Sequence, residues 1–176
     1  MEIKPADSDA WNIAEGKANG KPSLIRYRPE LRQLIGSPNY PQRLVIFWDY
    51  KQTNDSGLPS NTQLDEMKIF EDAIVDPLDV DRLAIFVYSY TNAGTREWHF
   101  YTGNIEKVGE IINSVLSKHD KFPIELQVCE DTEWTELKKY MKSVSKSAPN
   151  KSTMHETRKS RTSYANRYMS KRRLWQ

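Results

Sequence analysis

Arg96, Glu97, Trp98, His99 and Tyr101 set a guanidinium, a carboxylate, an imidazole and a phenol within one short stretch of chain. Arg96, Glu97 and His99 together could hold an anion or pass a proton between acid and base. The same residues also read as the end of a solvated strand, with Arg96 paired to an acid and His99 lying beside a cross-strand neighbour. The second reading is favoured, because no further histidine or cysteine falls within strand reach of His99. On a strand the side chains alternate, so Trp98 and Phe100 share one face while Glu97, His99 and Tyr101 share the other.

The remaining reactive types are scattered. Glu71 and Asp72 are adjacent near the end of a helical pattern and point about 100° apart, too far to act as a carboxylate pair. Glu130-Asp131-Thr132-Glu133 reads as an acidic helix start, where the helix dipole favours negative charge. His119-Asp120 and His155-Glu156 lack the further ligands that a metal needs. Cys129 ends what reads as an inner strand and serves there as a small apolar filler. The chain has no Gly-x-Ser-x-Gly, no Cys-x-x-Cys and no phosphate-cradling glycine loop, with seven glycines in all. No catalytic residue, metal or cofactor is assigned.

The C-terminal segment differs. Arg158, Lys159, Arg161, Arg167, Lys171, Arg172 and Arg173 are interleaved with Tyr164, Tyr168 and Trp175. Cations for phosphate and rings for base stacking make this composition suited to nucleic acid or to another partner, although a solvated extension has the same composition. From Lys146 onward there are nine basic residues and one acid, a charge of +8, so the net charge of +2 leaves −6 on the rest. An acidic body and a basic tail are thus hidden in a near-neutral average.

The hydrophobic patterning supplies the elements that must position these groups. Trp11 to Ala18 and Pro22 to Arg28 flank Asn19-Gly20, the strongest short hairpin signal. Pro29 to Pro41 reads as a loop with one helical turn at Glu30–Ile35. Leu44 to Trp48 is an unbroken apolar run that reads as a strand buried on both faces. Ser60 offers an N-cap to a helix with Leu64, Met67, Ile69, Phe70, Ala73 and Ile74 at helical spacing, which Pro77 is expected to end. Leu83–Tyr90 and Arg96–Tyr101 are strands joined by a turn at Thr91–Thr95. Asn104 caps a second helix with Ile105, Val108, Ile111, Ile112, Val115 and Leu116 inward. Ile124–Val128 is a further strand, and Thr132 is expected to cap a last helix from Glu133 with Trp134, Leu137 and Tyr140 inward.

This order predicts an α+β protein: a ferredoxin-like β-α-β-β-α-β core with an N-terminal β-hairpin and a C-terminal helix. Residues 1–10 read as a flexible N-terminus, 11–144 as a single α+β domain and 145–176 as a basic tail, disordered or ordered by a partner. One cysteine permits no internal disulfide and points to a reducing compartment. No secretory signal or membrane span is visible, so a cytoplasmic location is expected.

Several of these segments together resemble the bacterial domain of unknown function family 695. They are the Trp11 strand, the Leu44–Trp48 run, Gly57-Leu58-Pro59 ahead of a helix carrying Phe70-Glu71-Asp72, the stretch Asn92-Ala93-Gly94-Thr95-Arg96-Glu97-Trp98, Tyr101, and Glu130-Asp131-Thr132-Glu133-Trp134. Thr132 departs from the proline common in that family. The resemblance spans about residues 10–142 and implies a compact α+β module with no established reaction. The expected function is a non-enzymatic module binding another protein, one version being a toxin-neutralising immunity-type protein. Alternatives are a nucleic-acid-associated or RNA-regulatory protein using the tail, and an enzyme built around Arg96, Glu97 and His99.

Overall fold

The computed structural model describes residues 11–147, and the chain divides into two units after Tyr140, within its last helix. The protein is α+β. A six-stranded antiparallel sheet is formed by β1 (Asn12–Ala18), β2 (Lys21–Tyr27), β3 (Gln42–Asp49), β4 (Ala84–Asn92), β5 (Thr95–Thr102) and β6 (Ile124–Glu130), in the order β1-β2-β4-β5-β3-β6. The helices are α1 (Asn61–Asp79), α2 (Ile105–Leu116) and α3 (Thr135–Ser147). A short 3-10 segment, Pro29–Leu34, buries Leu31 and Leu34 in the connection where one helical turn is expected.

Turn chemistry sets the hairpins. Asn19 (φ 52°) and Gly20 (φ 77°) both take the left-handed region, as do Ala93 (φ 48°) and Gly94 (φ 97°). Two consecutive positive φ values match the twist of the flanking strands. Gly94 has a second reason to be glycine, since a Cβ there would lie 2.9 Å from the Gln52 amide nitrogen. The Gly94 carbonyl accepts from the Tyr50 N–H at 2.7 Å, and its own N–H donates to the Gly57 carbonyl at 3.2 Å. The Gly57-Leu58-Pro59 loop and the Ala93-Gly94 turn, distant in sequence, are thereby locked together.

Ser60 caps α1 reciprocally with Gln63: the Gln63 N–H donates to Ser60 Oγ at 3.3 Å and the Ser60 N–H donates to Gln63 Oε1 at 2.8 Å. Ser60→Ala should therefore lower stability by about 1 kcal/mol, measurable by urea denaturation. Pro77 does not end α1, which continues to Asp79. A proline in the last turn forfeits one backbone bond, and burial of Leu78 beyond it outweighs that loss.

One core fills the space between the sheet and the first two helices. Leu44, Ile46, Trp48, Phe86, Trp98 and Phe100 from the strands meet Met67, Phe70, Ile74 and Leu78 of α1 and Val108 and Ile112 of α2. Phe70 packs edge-on to Trp98 and to Trp48, with centroids 5.1 and 5.8 Å apart, the arrangement ring quadrupoles favour. Asn104 caps α2 by accepting from the Lys107 N–H at 3.0 Å.

Two expectations need correction. Helix α3 begins at Thr135 rather than Glu133, and its cap is Asp131 rather than Thr132: the Asp131 carboxylate accepts from the N–H groups of Thr135 (2.7 Å) and Glu136 (3.3 Å). A carboxylate one position earlier reaches these donors because Trp134 takes φ 54° and turns the chain. Strand β6 is not an inner strand but the outermost one beside β3, which puts Cys129 at an edge. The tail residues Arg158, Lys159, Arg161, Arg167, Lys171, Arg172 and Arg173 lie outside the described residues, as does the segment 1–10.

Candidate functional site

Strand alternation divides the residues singled out from sequence between the two sides of the sheet. Trp98 lies on the helix side between Ser89 of β4 and Ile46 of β3, and Arg96 follows it there. Glu97, His99 and Tyr101 lie on the other side, in register with Phe47, Val45 and Arg43. The backbone thus separates Arg96 from Glu97 and His99, and the three do not meet at one point.

On the helix side Arg96 and Trp98 belong to a buried ionic network centred on Glu71 of α1. One Glu71 oxygen is paired with Arg26. The other accepts from Trp98 Nε1 at 2.8 Å and lies 3.4 Å from Arg96 Nη2. The Arg26 guanidinium covers the Trp11 ring at 4.4 Å, and that of Arg96 lies 5.1 Å from the Trp98 ring, adding cation–π attraction away from water. Burial pushes the Glu71 pKa up, but the charges of Arg26 and Arg96 and the Trp98 hydrogen bond pull it further down, below the ordinary carboxylate range. Asp72 points elsewhere and pairs with Lys68 on the exposed side of the helix. The network ties β2, β5 and α1 together.

The opposite side of the sheet is covered over part of its area by the segment opening α3. Trp134 stacks on Tyr101 with centroids 4.0 Å apart, and its Nε1 donates to the Tyr40 carbonyl at 3.0 Å. Tyr101 donates its hydroxyl to Asp131 at 2.7 Å. Burial, together with the Asp131 charge, pushes the Tyr101 pKa up. Tyr140 lies over Tyr88 and Tyr90, and Tyr88 stacks on His99 at 4.0 Å. Burial holds the His99 pKa below its usual value, although the Glu97 carboxylate 2.7 Å from Nε2 opposes that shift. A neutral His99 with its proton on Nε2 donates to Glu97 and fixes the orientation of that carboxylate. Arg43 reaches Cys129 Sγ at 3.4 Å and Glu136 at 3.9 Å. His119 lies in the α2–β6 connection against Phe122. Among the described residues no group of three or more His, Cys, Asp or Glu side chains could hold a metal ion. Nor is any helix there long and apolar enough to cross a membrane.

Beyond this cover, no described residue lies over the sheet face. A row of cross-strand neighbours, Tyr90, Glu97, Phe47 and Glu125, runs over β4, β5, β3 and β6. With Asp49 and Gln127 it lines a concavity of about 560 Å³. Among the described residues its lining holds three carboxylates, Asp49, Glu97 and Glu125, and neither a lysine nor an arginine. Asp49 accepts from Thr95 Oγ1 at 2.7 Å, and Glu97 is held by His99, so two of the three are fixed in place. The arrangement offers negative charge around two rings and no nucleophile activated by a base. Of the sequence-derived candidates among the described residues only Glu97 lines it. Phe47, Asp49, Tyr90, Glu125 and Gln127 were not singled out. The alternation of Glu125 and Gln127 with Leu126 and Val128 was the available signal.

Residues 9–141 match a family of unknown function, DUF695. No curated protein matches the chain.

Proposed function

The chain belongs to DUF695, a family of unknown function, and from that premise we propose that it is a non-enzymatic binding module whose open sheet face receives a cationic segment of another protein. The observation that carries this reading is the concavity in which Asp49, Glu97 and Glu125 surround Phe47 and Tyr90 with no cation among the described lining residues. Lysine and arginine stems pack on rings while their heads reach carboxylates, and such complementarity selects the partner and speeds encounter. The −6 charge of the chain ahead of Lys146 acts in the same direction. A toxin-neutralising immunity-type role is one form of this function, since a basic nuclease presents such segments. The strand order β4-β5-β3-β6, antiparallel throughout, supports reading the core as ferredoxin-like.

Titration with an unstructured lysine-rich peptide, followed by amide chemical shifts, tests the site. Shifts should cluster at Phe47, Glu97, Glu125 and Gln127, and the double variant Asp49→Lys/Glu125→Lys should weaken binding about tenfold at low salt. Unchanged affinity in that variant, or shifts confined to other surfaces, would refute the reading.

A further inference from the structure

Among the described residues the concavity runs out to a strand edge that carries no lysine, proline or bulge. Strand β6 is the last in the sheet, and its seven residues pair with β3 from Gln42↔Glu130 to Trp48↔Ile124 without a register shift. Its outer side therefore presents a straight run of backbone N–H and C=O groups. Proteins usually blunt such edges with lysine, proline or a bulge. Ile124–Glu130 reads Ile-Glu-Leu-Gln-Val-Cys-Glu and contains none of these. The opposite edge, β1, carries Gly16 and Lys17. The four large hydrophobic side chains exposed among the described residues include two from β6, Leu126 at 49% and Val128 at 46%. They lie on the helix side, opposite Ile46 and Leu44. Glu125 and Gln127 lie on the other side and form the outer wall of the concavity.

We infer that the cationic segment binds as an added strand along β6, and that it alternates apolar and basic residues. This rests on the acidic-face reading and specifies the partner's conformation and sequence pattern. Backbone bonds to the β6 edge supply affinity and alternate side chains supply specificity. Apolar residues of the segment cover Leu126 and Val128. The intervening lysines or arginines fall on the acidic side, where strand spacing of about 4.8 Å puts them within direct reach of Glu125. Asp49 and Glu97, further in, add to the field that holds them. A second copy of this chain is a poorer occupant. Pairing through β6 would bring another Glu125 and no cation, because Ile124–Glu130 contains neither lysine nor arginine.

The test uses the full chain and a synthetic heptapeptide alternating valine and lysine, with a second peptide N-methylated at the amides of one edge. Methylation removes backbone donors and leaves side-chain charge intact. It should weaken binding at least about tenfold, since each lost hydrogen bond is worth roughly a factor of five. The variant Leu126→Lys/Val128→Lys should weaken binding of the unmethylated peptide by a similar factor, with its own thermal unfolding little changed. Equal affinity for the two peptides overturns the inference. No binding of the heptapeptide at millimolar concentration also overturns it, as does sedimentation showing a dimer that the lysine variant dissociates. If methylation is without effect while Asp49→Lys/Glu125→Lys still weakens binding, the edge inference fails and the acidic-face reading stands. If neither change matters, both fail.

Discussion

Glu71→Gln is expected to lower the folding free energy by about 3 kcal/mol, a fall of roughly 10 °C in Tm for a chain of this size. Glutamine keeps the shape and an oxygen for Trp98 but removes the charge between Arg26 and Arg96. Two guanidinium groups, both largely shielded from water, then lose the carboxylate charge that lies between them. Taking one partner from a buried ion pair is far more damaging than never having the pair.

The pH dependence separates charge from packing in this variant. The Glu71 pKa is depressed in the folded state, so the unfolded chain takes up the proton first. The stabilisation is fully present above the unfolded carboxyl pKa of about 4.3 and is lost as pH falls through the lower folded value. Denaturation of wild type and variant should therefore differ most at neutral pH and converge in strong acid. A difference that stays constant with pH would assign the effect to packing instead.

Trp134→Ala is the second large effect, expected to destabilise by about 3–5 kcal/mol. Trp134 is fully buried, stacks on Tyr101 and bonds the Tyr40 carbonyl. It does so from φ 54°, a region that costs a side-chain-bearing residue about 1–2 kcal/mol. The ring's contacts outweigh that strain, and alanine would bear the strain without them. Loss of the ring should also uncover Tyr101, whose phenol should then titrate closer to its ordinary value in an ultraviolet titration. Trp134→Phe keeps an aromatic contact and loses the N–H donor, so it should cost only about 1 kcal/mol. Equal losses in the two variants would show that the hydrogen bond, rather than the stack, holds this segment.

The comparison of expected and observed structure turns on a few residues. Asn19-Gly20, Ser60 and Asn104 mark their turns and caps through local chemistry, and each stands where the sequence places it. The separation of Trp98 from Glu97 and His99 follows from alternation alone. Pro77 misled, because a local rule about a missing N–H was overridden by burial of Leu78. Thr132 misled because the positive φ of Trp134 is imposed by Tyr101 and Tyr40, neither of which is near it in sequence.

What the sequence by itself determined is whatever depends on neighbours a few residues apart: the six strands and three helices in their order, the hairpin turns, the helix caps at Ser60 and Asn104, and the two faces of β5. Only the tertiary structure decided that β6 is an edge, that Glu71 joins Arg26 to Arg96, and that Asp49, Glu97 and Glu125 line one hollow. The physical reason is range. Turn, cap and alternation energies act within one segment, whereas strand order and ion pairing depend on which distant segments burial of the common core brings side by side.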